Sequence, residues 1–186
     1  ALSGCTSERA TTNPTAAGGS AAAAGGFAKD ALIGVALPQK TSENWVLAER
    51  LFNDGLKEAG FKADVQFANN GPSEQQNQIQ AMVAKGAKVI IVGAVDGSQL
   101  GTQVKAAKDA GATVIAYDRL LTNTAAVDYY VAFDNFKVGQ LQGEALLKGL
   151  AAKKPAGPYN IELIAGSPDD SNSKVFFNGA MSVLEP

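Results

Sequence analysis

An aspartate and an arginine stand side by side where an apolar segment of the chain ends. In VIAYDRLL (114–121), Asp118 and Arg119 follow a run that is typical of a buried strand. Adjacent strand residues point to opposite faces of a sheet, so both side chains can reach one site only if the strand ends before them. A carboxylate accepts hydrogen bonds and a guanidinium donates two in parallel, which suits a ligand that carries hydroxyl groups.

Polar and aromatic residues also follow other apolar segments. PQKTSENW (38–45) and SPDDSN (167–172) supply amides, carboxylates and a tryptophan. An amide both donates and accepts hydrogen bonds, and an aromatic ring offers a flat apolar surface to the C–H face of a sugar ring. These residue types favour a neutral polyhydroxyl ligand.

Purely structural roles compete with these functional ones. The pair Asp118 and Arg119 could form a surface ion pair that closes a turn. Trp45 fits the apolar stripe of its predicted helix and could belong to the core. Asp170 or Ser171 could cap a helix N-terminus, and one residue of this segment could cap while another binds a ligand.

Composition argues against several classes of function. The chain has 186 residues, is 46% hydrophobic and carries a net charge of −2, which is enough for a core but offers no basic stripe for nucleic acid. It has no histidine and one cysteine, so the usual zinc ligands, histidine-dependent catalytic triads and an intrachain disulfide are lacking. The sequence contains no GxGxxG or Walker motif that would bind a nucleotide cofactor. We therefore expect neither an enzyme nor a bound cofactor.

Strand and helix patterns alternate from Ala31 onward, which indicates βαβ units. The continuous apolar strands favour a mostly parallel sheet covered by helices on both faces, so the predicted fold class is α/β, doubly wound. Ser73 with Gln76 predicts a capping box, and Ser98 a helix N-cap. Predicted strands are 31–37, 62–68, 88–94, 113–118, 129–133 and 159–166, and predicted helices are 43–60, 73–86, 98–111, 135–150 and 172–184.

The first thirty residues have a different character. ALSGC resembles a bacterial lipobox in which Cys5 becomes the lipidated first residue of the mature protein, although a chance free thiol is the alternative. Residues 6–30 are rich in Ala, Gly, Ser and Thr and are typical of a flexible tether. The lipobox implies export and a lipid anchor at the cell envelope, on the outer face of the cytoplasmic membrane or in the periplasm, with membrane contact only through that lipid.

Residues 31–186 resemble the first half of a periplasmic sugar-binding protein of an ABC importer, with the type I, ribose-binding-like fold. The resemblance is greatest to xylose-binding and multiple-sugar-binding members. It rests on six collinear strings: PQKTSENW, QNQIQAMVAKGAKVIIV, VIAYDRLL, YYVAFDNFKVGQLQ, IELIAGSPDDSNS and GAMSVLEP. It implies a first lobe at 31–133, the beginning of a second lobe at 134–186, a first crossing at 133–135 and further parts of both lobes beyond Pro186.

The same resemblance implies capture of an aldose of the xylose, glucose or galactose type between the lobes and its delivery to an ABC permease. It assigns sugar hydroxyls to Asp118 and Arg119, ring stacking to Trp45, and second-lobe polar contacts to Asp170 and Asn172. Asn178 falls where ribose-type members carry a ligand-binding arginine. Asn44 stands where xylose-type members carry arginine, and this departure leaves the exact sugar open. Asp134 and Asn135 resemble hinge and capping residues.

Other functions use the same fold. A sensor that presents the sugar to a chemoreceptor or a sensor kinase shares the binding step, and a non-sugar ligand is a further alternative. A sugar-responsive transcription regulator would need a helix-turn-helix, and residues 1–30 show no amphipathic period that could form one. An enzyme would need a nucleophile with its base, which the sequence does not show.

Overall fold

A computed structural model describes residues 26–185 of the chain. Strands and helices alternate through most of it, as the periodicity predicts. The strands are β1 (Leu32–Leu37), β2 (Lys62–Phe67), β3 (Val89–Val92), β4 (Thr113–Tyr117) and β5 (Tyr129–Val131). The helices are α1 (Glu43–Glu58), α2 (Pro72–Ala84), α3 (Gly101–Asp109), α4 (Asn135–Lys153) and α5 (Ser171–Leu184).

The five strands form one parallel sheet in the order β2-β1-β3-β4-β5. The chain moves outward from β1 to β2 and then returns past β1 to β3, so the direction of winding reverses between β1 and β3. In sheets of this kind the crevice outside the carboxyl ends of the strands is where ligands bind. The predicted α/β, doubly wound fold is confirmed.

Helices cover both faces of the sheet, which explains why its central strands are apolar throughout. On one face, α2 and α3 contribute Ile79, Met82 and Val104 to a buried cluster with β3 and β4. On the other face, α1 contributes Trp45 and Ala48 to a second cluster with β1 and β3. Burial on two faces removes the alternation of polar and apolar residues that a half-exposed strand would show.

One buried glutamine joins α2 to the carboxyl ends of β1 and β3. The Gln75 side chain is fully buried, and its Nε2 donates to the carbonyl oxygens of Gly93 at 2.8 Å and Ala36 at 3.3 Å. Its Oε1 accepts from the Val95 main-chain N–H at 2.8 Å. Buried backbone groups need partners, and Gln75 supplies them where the two strands diverge.

Helices α4 and α5 cross at very short range through glycines. A Cβ on Gly139 would lie 2.1 Å from the Phe176 carbonyl oxygen, and one on Gly179 would lie 2.2 Å from the Phe136 carbonyl oxygen. No side chain larger than hydrogen fits at either position. The crossing brings the N-termini of the two helices together beside the end of β4, where the polar residues converge.

The predicted strand at 159–166 is wrong, because the structure has no strand over these residues. A strand needs a hydrogen-bonded neighbour, and none of the five described strands pairs with this segment. Strand β5 is also shorter than predicted and ends at Val131.

The two predicted helix starts on α2 and α3 are also wrong. Helix α2 begins at Pro72 after Gly71, so Ser73 lies inside the helix and forms no capping box with Gln76. Proline is favoured at the first position of a helix, which explains why α2 begins at Pro72. Helix α3 follows Leu100, and Ser98 instead donates to Asp96 from its N–H and its hydroxyl. None of the described helices combines the length and the apolarity needed to cross a bilayer.

Substitution of Gln75 by alanine should lower the free energy of unfolding by about 2–3 kcal/mol, because buried backbone groups lose a partner and a cavity opens. Gln80 lies on the same helix with an exposed side chain. Gln80→Ala should change the free energy of unfolding by less than about 0.5 kcal/mol. Urea unfolding of the protein expressed to its natural C-terminus measures both, and equal small effects would contradict the role given to Gln75.

Candidate functional site

A tight turn ends β4 and places two adjacent side chains at the same crevice. Asp118 has a φ of 63°, in the left-handed region, and the Arg119 N–H donates to the Tyr117 carbonyl oxygen at 2.7 Å. A hydrogen bond between residues two apart, around a central residue of positive φ, is the rare and strained form of γ-turn. The strand thus ends before Asp118 and Arg119, which allows both side chains to reach the same crevice.

Hydrogen bonds with β5, one from the backbone and one from a side chain, hold this turn in place. The Asp118 N–H donates to the Val131 carbonyl oxygen at 2.8 Å, and the Tyr130 hydroxyl donates to the Asp118 carbonyl oxygen at 3.0 Å. Gly97 allows the loop after β3 to approach from the other side, since a Cβ there would lie 2.1 Å from the Leu120 carbonyl oxygen. A side chain at position 97 would therefore prevent this approach.

The Arg119 guanidinium lies across the crevice with its side chain only 13% exposed. Its Nη1 donates to the Ala94 carbonyl oxygen at 2.9 Å, and its Nη2 lies 3.1 Å from Asp170 Oδ2. Its partner is therefore a carboxylate from the start of α5, and the alternative of a surface ion pair with Asp118 is not what the structure contains. Its Nε is buried and has no hydrogen-bond partner among residues 26–185.

Asp170 serves two elements at once. Its Oδ1 accepts from the Asn172 main-chain N–H at 2.9 Å and so caps α5, while its Oδ2 faces Arg119. The capping role that the sequence offered as an alternative is confirmed, and it coexists with the position at the crevice. This carboxylate thus makes one contact within α5 and one with the turn at the end of β4.

The Asp118 carboxylate is less favourably placed. Burial raises its pKa above the ordinary value, and the nearby Asp170 carboxylate raises the pKa further. The positive charge of Arg119 and a hydrogen bond from Asn172 lower the pKa and offset part of this effect. That hydrogen bond runs from Asn172 Nδ2 to Asp118 Oδ1 at 3.1 Å, and the same nitrogen donates to the Asp118 carbonyl oxygen at 3.2 Å.

Trp45 lies beneath the arginine and is only 4% exposed. Its ring centroid is 5.6 Å from the Arg119 guanidinium carbon and 6.1 Å from the Tyr117 ring centroid, in an edge-to-face arrangement. A Cβ on Gly93 would lie 3.0 Å from the indole ring, so glycine at 93 admits it. The structure thus places Trp45 in the α1 core, with the guanidinium between its ring and the crevice.

The remaining candidates lie apart from this group. Asn44 and Asn178 are exposed, and neither forms a side-chain hydrogen bond to Asp118, Arg119 or Asn172. Cys5 lies outside the described residues. The structure therefore gathers four of the predicted ligand-binding residues into one network and places a fifth, Trp45, beneath it.

Asn135 belongs to this network, although the sequence suggested only a hinge or capping role for it. Its Nδ2 donates to Asn172 Oδ1 at 2.8 Å, and its side chain is buried. Its neighbour Asp134 caps α4 by accepting from the Lys137 N–H at 3.0 Å, which confirms the predicted cap. An asparagine directly after a cap residue carries no sequence signal that separates a buried contact from a solvated one.

Residues 26–185 contain no group of three histidine, cysteine, aspartate or glutamate side chains placed to hold a metal ion. The network offers two carboxylates, a guanidinium and two amides, which together donate and accept hydrogen bonds within one crevice. Groups of these types are chemically suited to hydroxyl groups, since each hydroxyl donates one hydrogen bond and accepts others.

Comparison with known proteins identifies the family. A family model for the periplasmic binding protein domain matches residues 33–186. This chain belongs to the periplasmic binding protein domain family. Members of this family are binding proteins, which agrees with the expectation that the chain is not an enzyme.

Individual family members show how far the similarity extends. The multiple sugar-binding periplasmic receptor ChvE of Rhizobium radiobacter is 46% identical over 161 residues, which cover 86% of this chain and 46% of that protein. The D-xylose-binding periplasmic protein of Escherichia coli K12 is 39% identical over 159 residues, with the same coverage of 86% and 46%. The chain spans about half the length of these curated relatives.

A solved structure agrees with both fold and family. The ABC transporter solute-binding protein from Clostridium phytofermentans, crystallised with bound β-D-glucose, is 41% identical to this chain with a TM-score of 0.79. The match covers 83% of this chain and 48% of that one. The type I periplasmic binding protein fold that the sequence predicted is therefore confirmed.

The raised pKa of Asp118 implies that the stability of the folded protein depends on pH at this residue. Because the folded state disfavours the charged carboxylate, Asp118 favours folding only at acidic pH, and this contribution is lost as the pH rises through its folded pKa. Asp118→Asn should therefore raise the melting temperature at pH 7, and the gain should shrink as the pH falls through that pKa. Thermal unfolding monitored by circular dichroism at several pH values measures this.

Asp96 provides a control of opposite sign. Hydrogen bonds from the Ser98 hydroxyl, the Gln99 amide and the Ser98 N–H lower its pKa. Asp96 therefore stabilises the fold at neutral pH and loses that contribution on acidification. Asp96→Asn should lower the melting temperature at pH 7. If both variants shifted the melting temperature in the same direction, the charge environments described here would be wrong.

Proposed function

We propose that this protein is an exported binding protein that captures an aldose in a cleft between two lobes and delivers it to an ABC permease. The observation that carries the proposal is the convergence of Asp118 and Arg119, at the end of β4, with Asp170 and Asn172, at the start of α5. The multiple sugar-binding and D-xylose-binding relatives and the glucose-bound solved structure support the ligand class.

The two sides of this network correspond to the two proposed lobes. Residues 31–133 would form the first lobe, and residues 134–186 would begin the second, with the first crossing at 133–135. The ion pair of Arg119 with Asp170 and the amide contact of Asn172 with Asp118 both run from one side to the other. A ligand in the cleft would take the place of these direct contacts.

A sugar suits that exchange. Its hydroxyls would donate to the carboxylates of Asp118 and Asp170 and accept from Arg119 and Asn172, so each buried polar group keeps a partner when the direct contacts open. Water can satisfy the same groups while the cleft is open, and the sugar then displaces it. Charged donors and acceptors give the stronger hydrogen bonds, which favours tight binding of a small neutral ligand.

The other predicted contacts depend on movement. Trp45 would stack on the sugar ring once the Arg119 guanidinium turns toward a hydroxyl and uncovers the indole. Asn44 and Asn178 are proposed as contacts that form when the lobes close over the ligand. Cys5 is proposed as the lipidation site, and the residues that follow it as the tether that holds the binding protein at the cell envelope.

Titration with D-xylose, D-glucose, D-galactose, L-arabinose and D-ribose tests the proposal, with fluorescence of Trp45 as the signal. Trp45 is the single tryptophan of the sequence, and Trp45→Phe identifies its contribution. We expect saturable binding of one or two of these aldoses by the protein expressed to its natural C-terminus. Asp118→Ala should weaken that binding about 10- to 100-fold, since a charged hydrogen-bond acceptor is lost.

Asp169 is the matched control, because it lies in the same loop as Asp170 and is exposed. Asp169→Ala should leave the affinity within about twofold of the unaltered protein, since surface charges contribute little. A folded protein that binds none of the five aldoses would refute the aldose proposal. Equal losses in Asp118→Ala and Asp169→Ala would refute the site.

A further inference from the structure

The side-chain amide of Asn172 lies between Asn135 and Asp118. Its Oδ1 accepts from Asn135 Nδ2 at 2.8 Å, and its Nδ2 donates to Asp118 Oδ1 at 3.1 Å. Asn172 is 5% exposed and Asn135 is 9% exposed. Both amides are thus largely removed from solvent, so their hydrogen bonds to each other and to Asp118 are not easily replaced by water.

An asparagine amide has a donor end and an acceptor end of nearly the same size. If the Asn172 amide turned over, its oxygen would face the Asp118 carboxylate, and its nitrogen would face the nitrogen of Asn135. Two acceptors and two donors would then oppose each other in a buried place, where unsatisfied polar groups are costly. Among the described residues, no other side chain donates to the Asp118 carboxylate.

We propose that Asn135 is a positioning residue that, together with the Asp118 carbonyl oxygen, fixes the orientation of the Asn172 amide and so keeps a donor on the Asp118 carboxylate. This inference rests on the proposed function, because its consequence is the readiness of Asp118 to accept a hydrogen bond from a sugar hydroxyl. Asn135 is the first residue of α4, so the start of that helix and the ligand site are linked through one amide.

Several charged or titratable groups face Asp118 from the elements around it. Arg119 follows it in the turn, Tyr117 precedes it on β4, Tyr130 approaches from β5, and Asp170 lies at the start of α5. Burial and Asp170 already raise the pKa of Asp118, and the amide of Asn172 opposes them. Loss of the donor would therefore raise the pKa of Asp118 further.

The test compares the pH dependence of aldose binding in the protein expressed to its natural C-terminus and in Asn135→Leu. Leucine has nearly the shape of asparagine but has no donor for Asn172 Oδ1. We expect binding to be lost as the pH falls through the pKa of Asp118, and this midpoint to lie at a higher pH in Asn135→Leu. At pH 7 the variant should bind about tenfold more weakly, the size of one buried hydrogen bond.

Asp134→Ala is the matched control, since Asp134 is the neighbouring residue, belongs to the same proposed crossing and accepts from the Lys137 N–H to cap α4. It should lower the melting temperature without moving the pH midpoint of binding. Asn135→Ser provides a second variant if Asn135→Leu fails to fold, and the same upward shift is expected because serine is too short to reach Asn172 directly.

The outcomes separate the two proposals. If the unaltered protein binds none of the aldoses, the proposed function fails. If the unaltered protein binds an aldose, and the folded Asn135 variants keep its pH midpoint, the positioning role is overturned even where their affinity falls. An upward shift that Asp134→Ala does not share supports the inference.

Discussion

The three-residue turn at Asp118 is the constraint on which the site depends. A strand would send Asp118 and Arg119 to opposite faces of the sheet, and the hydrogen bond from the Arg119 N–H to the Tyr117 carbonyl oxygen prevents this. A non-glycine residue at a φ of 63° carries strain on the order of 1–3 kcal/mol. The contacts of the turn with Val131 and Tyr130 on β5 offset that strain and hold the turn.

The two carboxylates of the site lie in different electrostatic environments. Asp170 lies at a helix N-terminus and beside Arg119, where a negative charge is stabilised. Asp118 is partly buried near a second carboxylate, and its raised pKa shows that the fold alone does not stabilise its charge. A ligand that donates a hydrogen bond to Asp118 would stabilise the charged carboxylate, which the fold alone does not. Binding sites commonly lower the stability of the fold in this way.

Much of the fold could be predicted because its central strands are continuous apolar runs. Those runs indicated a sheet covered on both faces, and their ends marked Asp118 and Arg119. At Trp45 the helical spacing of apolar residues could not distinguish a core residue from a ligand contact, because the position is compatible with either role. The burial of Gln75 carried no sequence signal, because a buried glutamine and a solvated one look alike in a sequence. At 159–166 the pattern indicated a strand but could not show whether a neighbouring strand would pair with it.

The candidate site was predictable only in part, because one of its contacts joins residues that are distant in sequence. Residue types and the strand end indicated Asp118 and Arg119, and the family resemblance added Asp170 and Asn172, which the structure brings together at that edge of the parallel sheet. The amide contact of Asn135 with Asn172 joins two helix starts that are distant in sequence, and only the close glycine crossing of α4 and α5 brings them together. No local pattern encodes such a contact.

A crystal structure of the protein with its tightest-binding aldose tests the central claim most directly. The account predicts sugar hydroxyls within about 2.6–3.2 Å of the Asp118 carboxylate and the Arg119 guanidinium, with the ion pair of Arg119 and Asp170 opened or shared with the sugar. A sugar bound elsewhere, with the contacts among Asp118, Arg119, Asp170 and Asn172 unchanged, would contradict it.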